Sequence, residues 1–172
     1  MIILKKKGES IQLSKKISTV DIKLNWTKGV DLDIHAFYQT KSGILGHIYF
    51  ANKGSLNEPP CIQLDKDTGI GNQAGDNQEN IKISTLVHID SILIATNIFR
   101  LFGFLSQGDN FAKYDGKVLV TTDVSDRIEV PLISEEIGKW CVIAKIDNTD
   151  PSLPKVVNIN RVQKSAPNLN DF

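Results

Sequence analysis

No recurrent cysteine pattern, no excess of either charge and no long apolar run can be read in the 172 residues of this chain. The two cysteines, Cys61 and Cys141, stand far apart without a CxxC spacing; they are too few for a thiolate cluster, leave one disulfide open, and fit better as two buried or idle thiols in a reducing compartment. Lys plus Arg and Asp plus Glu number 20 each, so the basic excess that grips a phosphate backbone is missing and nucleic acid is not an expected partner. The longest apolar stretch, "SILIATNIF", falls well short of the ~18 residues of a membrane span. The opening "MIILKKKGES" places apolar residues before its lysines, the reverse of a secretory leader. A soluble, cytoplasmic protein with no transmembrane segment is expected.

Catalytic signatures are equally scarce. His35, His47 and His88 are scattered, without a HExxH or similar ligand spacing, and no GxSxG elbow occurs. Gly69, Gly71 and Gly75 give GxGxxxG, which misses the dinucleotide fingerprint, and no strand–helix unit surrounds them. An enzyme is not expected.

What the sequence does have is period-two alternation. In "TVDIKLNW", Val20, Ile22, Leu24 and Trp26 face one way while Asp21, Lys23 and Asn25 face the other, the pattern of a half-buried strand. "DLDIHAFY", "GHIYFAN", "NIKIST", "DSILIAT", "KVLVTTD", "RIEVPLI", "KWCVIAKI" and "KVVNINRV" are strand-like too, with turn-rich pieces between several of them. Helix signals are few: "ISEEIGK" reads as one or two turns capped by Ser134, and "NIFRLFGFL" fits helix or strand. The pattern predicts a mainly β protein, a β-sandwich of two antiparallel or mixed sheets with few short helices. One domain over residues 1–162 and a flexible tail over 163–172 are expected.

One stretch cannot serve the core. "DKDTGIGNQAGDNQEN", residues 65–80, packs acids, amides and glycines with scarcely an apolar side chain. It is no EF-hand: counting from Asp65, the sixth position is Ile70 instead of glycine, and Asp76 stands where the bidentate glutamate belongs. Its donors are nevertheless those of a hard cation, with Asp65, Asp67, Asp76, Asn77, Gln78 and Glu79 supplying side-chain oxygens and Gly69 and Gly71 letting carbonyls turn inward. Asp31 and Asp33, two apart on a strand, lie on one face about 6.6 Å apart at Cα and add a second anionic group. The residues alone leave both a calcium cage and a solvated loop open.

Taken in order, "LKKKGESIQLSKK", "VDIKLNW", "DLDIHAF" and "DKDTGIGNQAGDNQENIKI" resemble the TerD family of tellurite-resistance and stress proteins, closely over the first half of the chain and more loosely over the second. The resemblance implies a calcium-binding β-sandwich. It aligns Asp31 and Asp33 with the family's Asp-Leu-Asp pair, Asp65 with the first aspartate of its acidic loop, and Thr68, Gly69 and Gly71 with the Thr-Gly and glycine that follow. Leu64 and Lys66 stand where the family has glycine and asparagine, and the closing acidic group aligns either as Gly75-Asp76-Asn77-Gln78 or as Asn77-Gln78-Glu79. Fewer carboxylates weaken a calcium site, so weaker binding, or one site in place of two, is expected. The function implied is non-enzymatic. Ca2+ held by Asp31, Asp33, Asp65, Asp67, Gly69, Gly71, Asp76, Asn77 and Glu79 orders the 65–80 loop, within a bacterial stress or tellurite-resistance assembly of protein partners that is free or membrane-associated. The alternatives are a calcium-dependent lipid- or ligand-binding module and a scaffold relative that has lost the metal.

Overall fold

The computed structural model describes residues 1–65, 73–99 and 108–172. In chain order its strands are β1 (Ile2–Ile3), β2 (Ser10–Gln12), β3 (Val20–Trp26), β4 (Asp31–Thr40), β5 (Leu45–Ile48), β6 (Ile62–Leu64), β7 (Asn77–Ile83), β8 (Ile89–Phe99), β9 (Asp109–Asn110), β10 (Lys117–Thr122), β11 (Arg127–Pro131), β12 (Ile137–Gly138), β13 (Trp140–Asp147) and β14 (Lys155–Gln163). They form two six-stranded sheets, ordered β1-β11-β10-β3-β7-β6 and β2-β14-β13-β8-β4-β5, and a small β12-β9 pair. Pairing is antiparallel except for β1 on β11, which makes the first sheet mixed. The two sheets face each other as the alternation in the sequence requires, a β-sandwich.

Side-chain period fixes which residues meet between the sheets. Val20, Ile22, Leu24 and Trp26 of β3 are each 2% exposed or less, as are Leu32, Ile34 and Ala36 of β4. Each large apolar side chain so buried contributes roughly 2 kcal/mol. β8 is buried on both faces, because Ile92 and Ile94 enter the main core while Leu93 and Ala95 enter a second cluster on the outer side. That explains its unbroken apolar run.

The outer cluster is closed by the last residues of the sequence. Residues 163–172, expected to fray, instead pack on the second sheet: Leu169 is buried in the cluster of Leu93, Ala95 and Val142, and Arg161 lies over the Phe172 ring at 4.8 Å. Two apolar side chains with a sheet face to cover outweigh the polar character of the segment. "ISEEIGK" is not helical either. Ile137–Gly138 pairs with Asp109–Asn110, and the Ser134 hydroxyl accepts from the Glu136 N–H at 3.4 Å, a local turn. Of "NIFRLFGFL", Asn97 to Phe99 continue β8 and the remainder lies outside the described residues. The 3-10 helices, Phe111–Tyr114 and Leu169–Asp171, are short. Among the described residues, no helix is long and apolar enough to cross a membrane.

Candidate functional site

β3 ends, β4 begins, β6 ends and β7 begins at one end of the sandwich, with Trp26 opposite Asn77 and Leu64 opposite Ile81. The topology therefore brings the strand carrying Asp31 and Asp33 to the end where the 65–76 connection emerges. The Trp26 indole N–H donates to Val30 O at 2.8 Å and fixes the turn between β3 and β4. Leu32 and Ile34 point into the core, which sends the half-buried Asp31 and Asp33 to the opposite face of β4.

Glu79 is a carboxylate placed where only strong pairing makes burial tolerable. It sits on β7 opposite Leu24, 5% exposed, and its Oε2 accepts the backbone N–H of Ile34 on the facing sheet. β5 covers β4 only from Ala36 to Gln39, so the earlier half of β4 has an uncovered side that Glu79 reaches. The oxygen-rich stretch is thus tied to the Asp31/Asp33 strand by a direct charge-assisted hydrogen bond.

Asp65 faces another way. Its N–H donates to Asn80 O at 2.8 Å, and its carboxylate pairs with Lys82 Nζ at 2.9 Å on the outward face of the first sheet. That carboxylate holds the Lys82 ammonium above its ordinary pKa. Beside it, Asn80 is 7% exposed; its amide nitrogen reaches Asp65 Oδ2 at 3.5 Å, while its buried Oδ1 has no hydrogen-bond partner among the described residues. Asp76 is exposed and follows Gly75, whose N–H donates to Thr27 O at 3.0 Å, and Asn77 opens β7 with its amide on Gln73 O at 3.0 Å. Asp67, Gly69 and Gly71 lie outside the described residues. Among the described residues, no three His, Cys, Asp or Glu side chains gather as metal ligands. Glu79 points between the sheets, while Asp65 and the Asp31/Asp33 pair lie toward the outer faces of different sheets.

Asp76, Asn77 and Gln78 also line a cleft of about 440 Å3 with Asn25, Thr27 and Asp115. Asp115 has no counterpart in the sequence reading. It ends the 3-10 helix in a left-handed conformation, φ 57°, and accepts the Thr27 hydroxyl at 3.1 Å. Only the adjacent Gly116 marks a turn there in the sequence; the 88-residue separation from Thr27 hides the meeting. Asn80 is likewise absent from the donors read in the sequence, where it opens the strand-like "NIKIST".

The candidate side-chain donors are all oxygen, the type a hard cation takes, but among the described residues they do not converge on one point, and the buried Asn80 carbonyl there lacks the donor such a group normally finds. The contrary element is Lys82, an ammonium already seated on Asp65.

Two of the scattered histidines meet on the outer face of the second sheet. His35 Nε2–H donates to Asn97 Oδ1 at 2.8 Å, which leaves Nδ1 to accept from His47 Nε2–H at 2.9 Å. His47 stacks between Phe37 and Tyr49, with ring centroids at 4.0 and 4.2 Å. Burial lowers both imidazoles to about 4, so near neutral pH the pair is an uncharged element of packing. Both cysteines are free and buried, and burial pushes the Cys141 thiol up to about 12.

No protein-family model and no curated protein matches the sequence. Solved structures do match the fold. SAV2460, a protein of unknown function, superposes with a TM-score of 0.66 at 14% identity, over 89% of this chain and 94% of that one. SCO6318 from Streptomyces coelicolor A3(2), a homologue of the telluride resistance protein TerD, gives 0.60 at 15% identity, over 88% and 93%. The chain has a TerD-like fold.

Proposed function

We propose that this TerD-like chain is a non-enzymatic calcium-binding protein whose metal orders the 65–80 segment against the Asp31/Asp33 strand. The tether from Glu79 to Ile34 carries the reading, because it holds the start of β7 beside that strand. The donors read from the sequence are Asp31, Asp33, Asp65, Asp67, Asp76, Asn77 and Glu79 with carbonyls at Gly69 and Gly71; because Asp65 and Asn80 lie on the outward face of the first sheet and Asp31 and Asp33 on that of the second, one ion would take only the donors of one of these groups. Bound calcium supplies no redox or acid–base chemistry here; it neutralises carboxylates crowded at one end of the sandwich and rigidifies the surface they form. By likeness to the TerD homologue, that surface serves a bacterial tellurite-resistance or stress response in the cytoplasm, read by protein partners in a resistance complex.

Lys82 supports a second reading. An ammonium 2.9 Å from Asp65 does part of a cation's work permanently, as in a scaffold relative that has dispensed with the metal. Calorimetric titration of metal-stripped protein with calcium separates the two. Saturable binding that weakens at least tenfold in Asp31→Ala/Asp33→Ala, with the fold intact by circular dichroism, supports the metal. Absence of heat up to millimolar calcium leaves the scaffold.

A further inference from the structure

At the opposite end of the sandwich, four connections enclose a cleft of about 470 Å3 that includes Lys15, Lys16, Lys41, Thr85, Val87 and Ser152 in its lining. These loops are cross-tied. Asn148, 3% exposed, donates its amide to Leu86 O at 3.0 Å and Ile89 O at 2.8 Å. The Lys41 N–H donates to His88 O at 2.9 Å, and the Leu13 N–H to Pro154 O at 2.7 Å. The cleft is therefore built into the fold.

The carboxylates of this end keep their charge but have their oxygens occupied by neighbouring donors: Asp123 accepts the Ser18 and Thr19 N–H groups, Asp126 the Ser14 N–H and hydroxyl, Asp150 the Ser152 N–H and hydroxyl, and Asp147 pairs with Lys155. Lys41 gives its ammonium to Asn148 O at 3.0 Å, an uncharged partner. Lys15 and Lys16 are exposed and have no ion-pair partner among the described residues. Lys16 is held in a left-handed conformation, φ 72°. Three ammonium groups share the cleft with the Thr85 hydroxyl, and the wall beside them is apolar: Val87 is 68% exposed, with Ile17 and Leu86 adjacent.

From this arrangement we infer that the cleft binds a phosphate monoester or diester carrying an apolar group. Lysines meet the anion as point charges, the Thr85 hydroxyl adds a hydrogen bond, and Val87 and Ile17 take the apolar part. The same chemistry is offered by a lipid headgroup and by a soluble phosphate ester. The site is independent of the proposed calcium end.

The test uses the intact chain with two probes: phenyl phosphate, followed by amide shifts of Thr85, Val87 and Ser152, and phosphatidylglycerol/phosphatidylcholine vesicles, followed by co-sedimentation. Lys15→Gln/Lys16→Asn removes both charges, and asparagine tolerates the left-handed backbone at position 16. Lys5→Gln/Lys6→Gln, which leaves the cleft untouched, removes the same net charge. The first variant is expected to lose about thirty-fold in affinity and the second to bind as wild type. Saturable phenyl phosphate binding assigns a soluble ester, and vesicle binding a lipid headgroup. Binding of neither probe, or equal weakening by both variants, overturns the site.

Discussion

The two ends of this sandwich are made from the same residue types and use their carboxylates differently. At the β4/β7 end, Glu79 is buried between the sheets, and Asp76 and Asp115 line an open cleft. At the β3/β8 end, carboxylates are as plentiful, but they close turns, and hydrogen bonding there holds Asp126, Asp147 and Asp150 below the usual carboxylate range. Lys15, Lys16 and Lys41 form no ion pair among the described residues. A carboxylate keeps its charge in either setting; what differs is whether neighbouring donors already occupy its oxygens, which leaves fewer of them for a ligand.

That comparison breaks first at Glu79. Glu79→Ala leaves the buried Ile34 N–H without its acceptor and is expected to cost about 2–3 kcal/mol, a fall of several degrees in Tm. Glu79→Gln keeps an acceptor and removes the charge, so it should be milder in stability and equally harmful to calcium affinity. An unchanged Tm in the alanine variant would show that the two sheets are not joined there.

Asp126 tests the other end. Asp126→Asn leaves one acceptor oxygen for the Ser14 and Thr122 groups that the carboxylate now serves, and about 1–2 kcal/mol should be lost in urea denaturation. Because the folded-state pKa of Asp126 is depressed, its stabilisation is present above the unfolded carboxylate value and is lost as pH falls through the folded one. Wild-type stability should therefore drop below about pH 4, and the variant should show a shallower drop. Parallel curves would contradict the assignment.

A smaller effect sharpens the calcium end. Lys82→Gln removes the ammonium from Asp65, and calcium affinity should rise about fivefold, in keeping with an exposed ion pair worth about 1 kcal/mol. Unaltered calorimetric affinity would remove Asp65 from the ligand set.

Strands were legible because their signal is local. "TVDIKLNW" and "DLDIHAFY" alternate as β3 and β4 do, and a period-two pattern needs no knowledge of partners. Asn158 and Asn160 show where this stops. Both lie inward on β14 at 0% exposure, positions that alternation assigns to apolar residues, and their amides donate to Leu4 O and Pro131 O across the sandwich. Asp31, Asp33 and Glu79 could be named in advance as an oxygen-rich group. That Glu79 would bind the Ile34 N–H, Asn80 lose its partner and Asp115 join the cleft depended on which connections the topology brings together. The lysine cleft was illegible for the same reason, since its residues come from four separate connections.

The most direct test is an amide NMR titration of the metal-stripped chain with calcium, read at both ends at once. Saturable shifts at Ile34, Gly75 and Asn80, with Thr85, Val87 and Ser152 unmoved, are the expected result. A rise in Tm should accompany them, because an ion that binds only the folded state stabilises it. Shifts confined to the lysine end, or none up to millimolar calcium, would contradict the assignment of the oxygen-rich end to a cation.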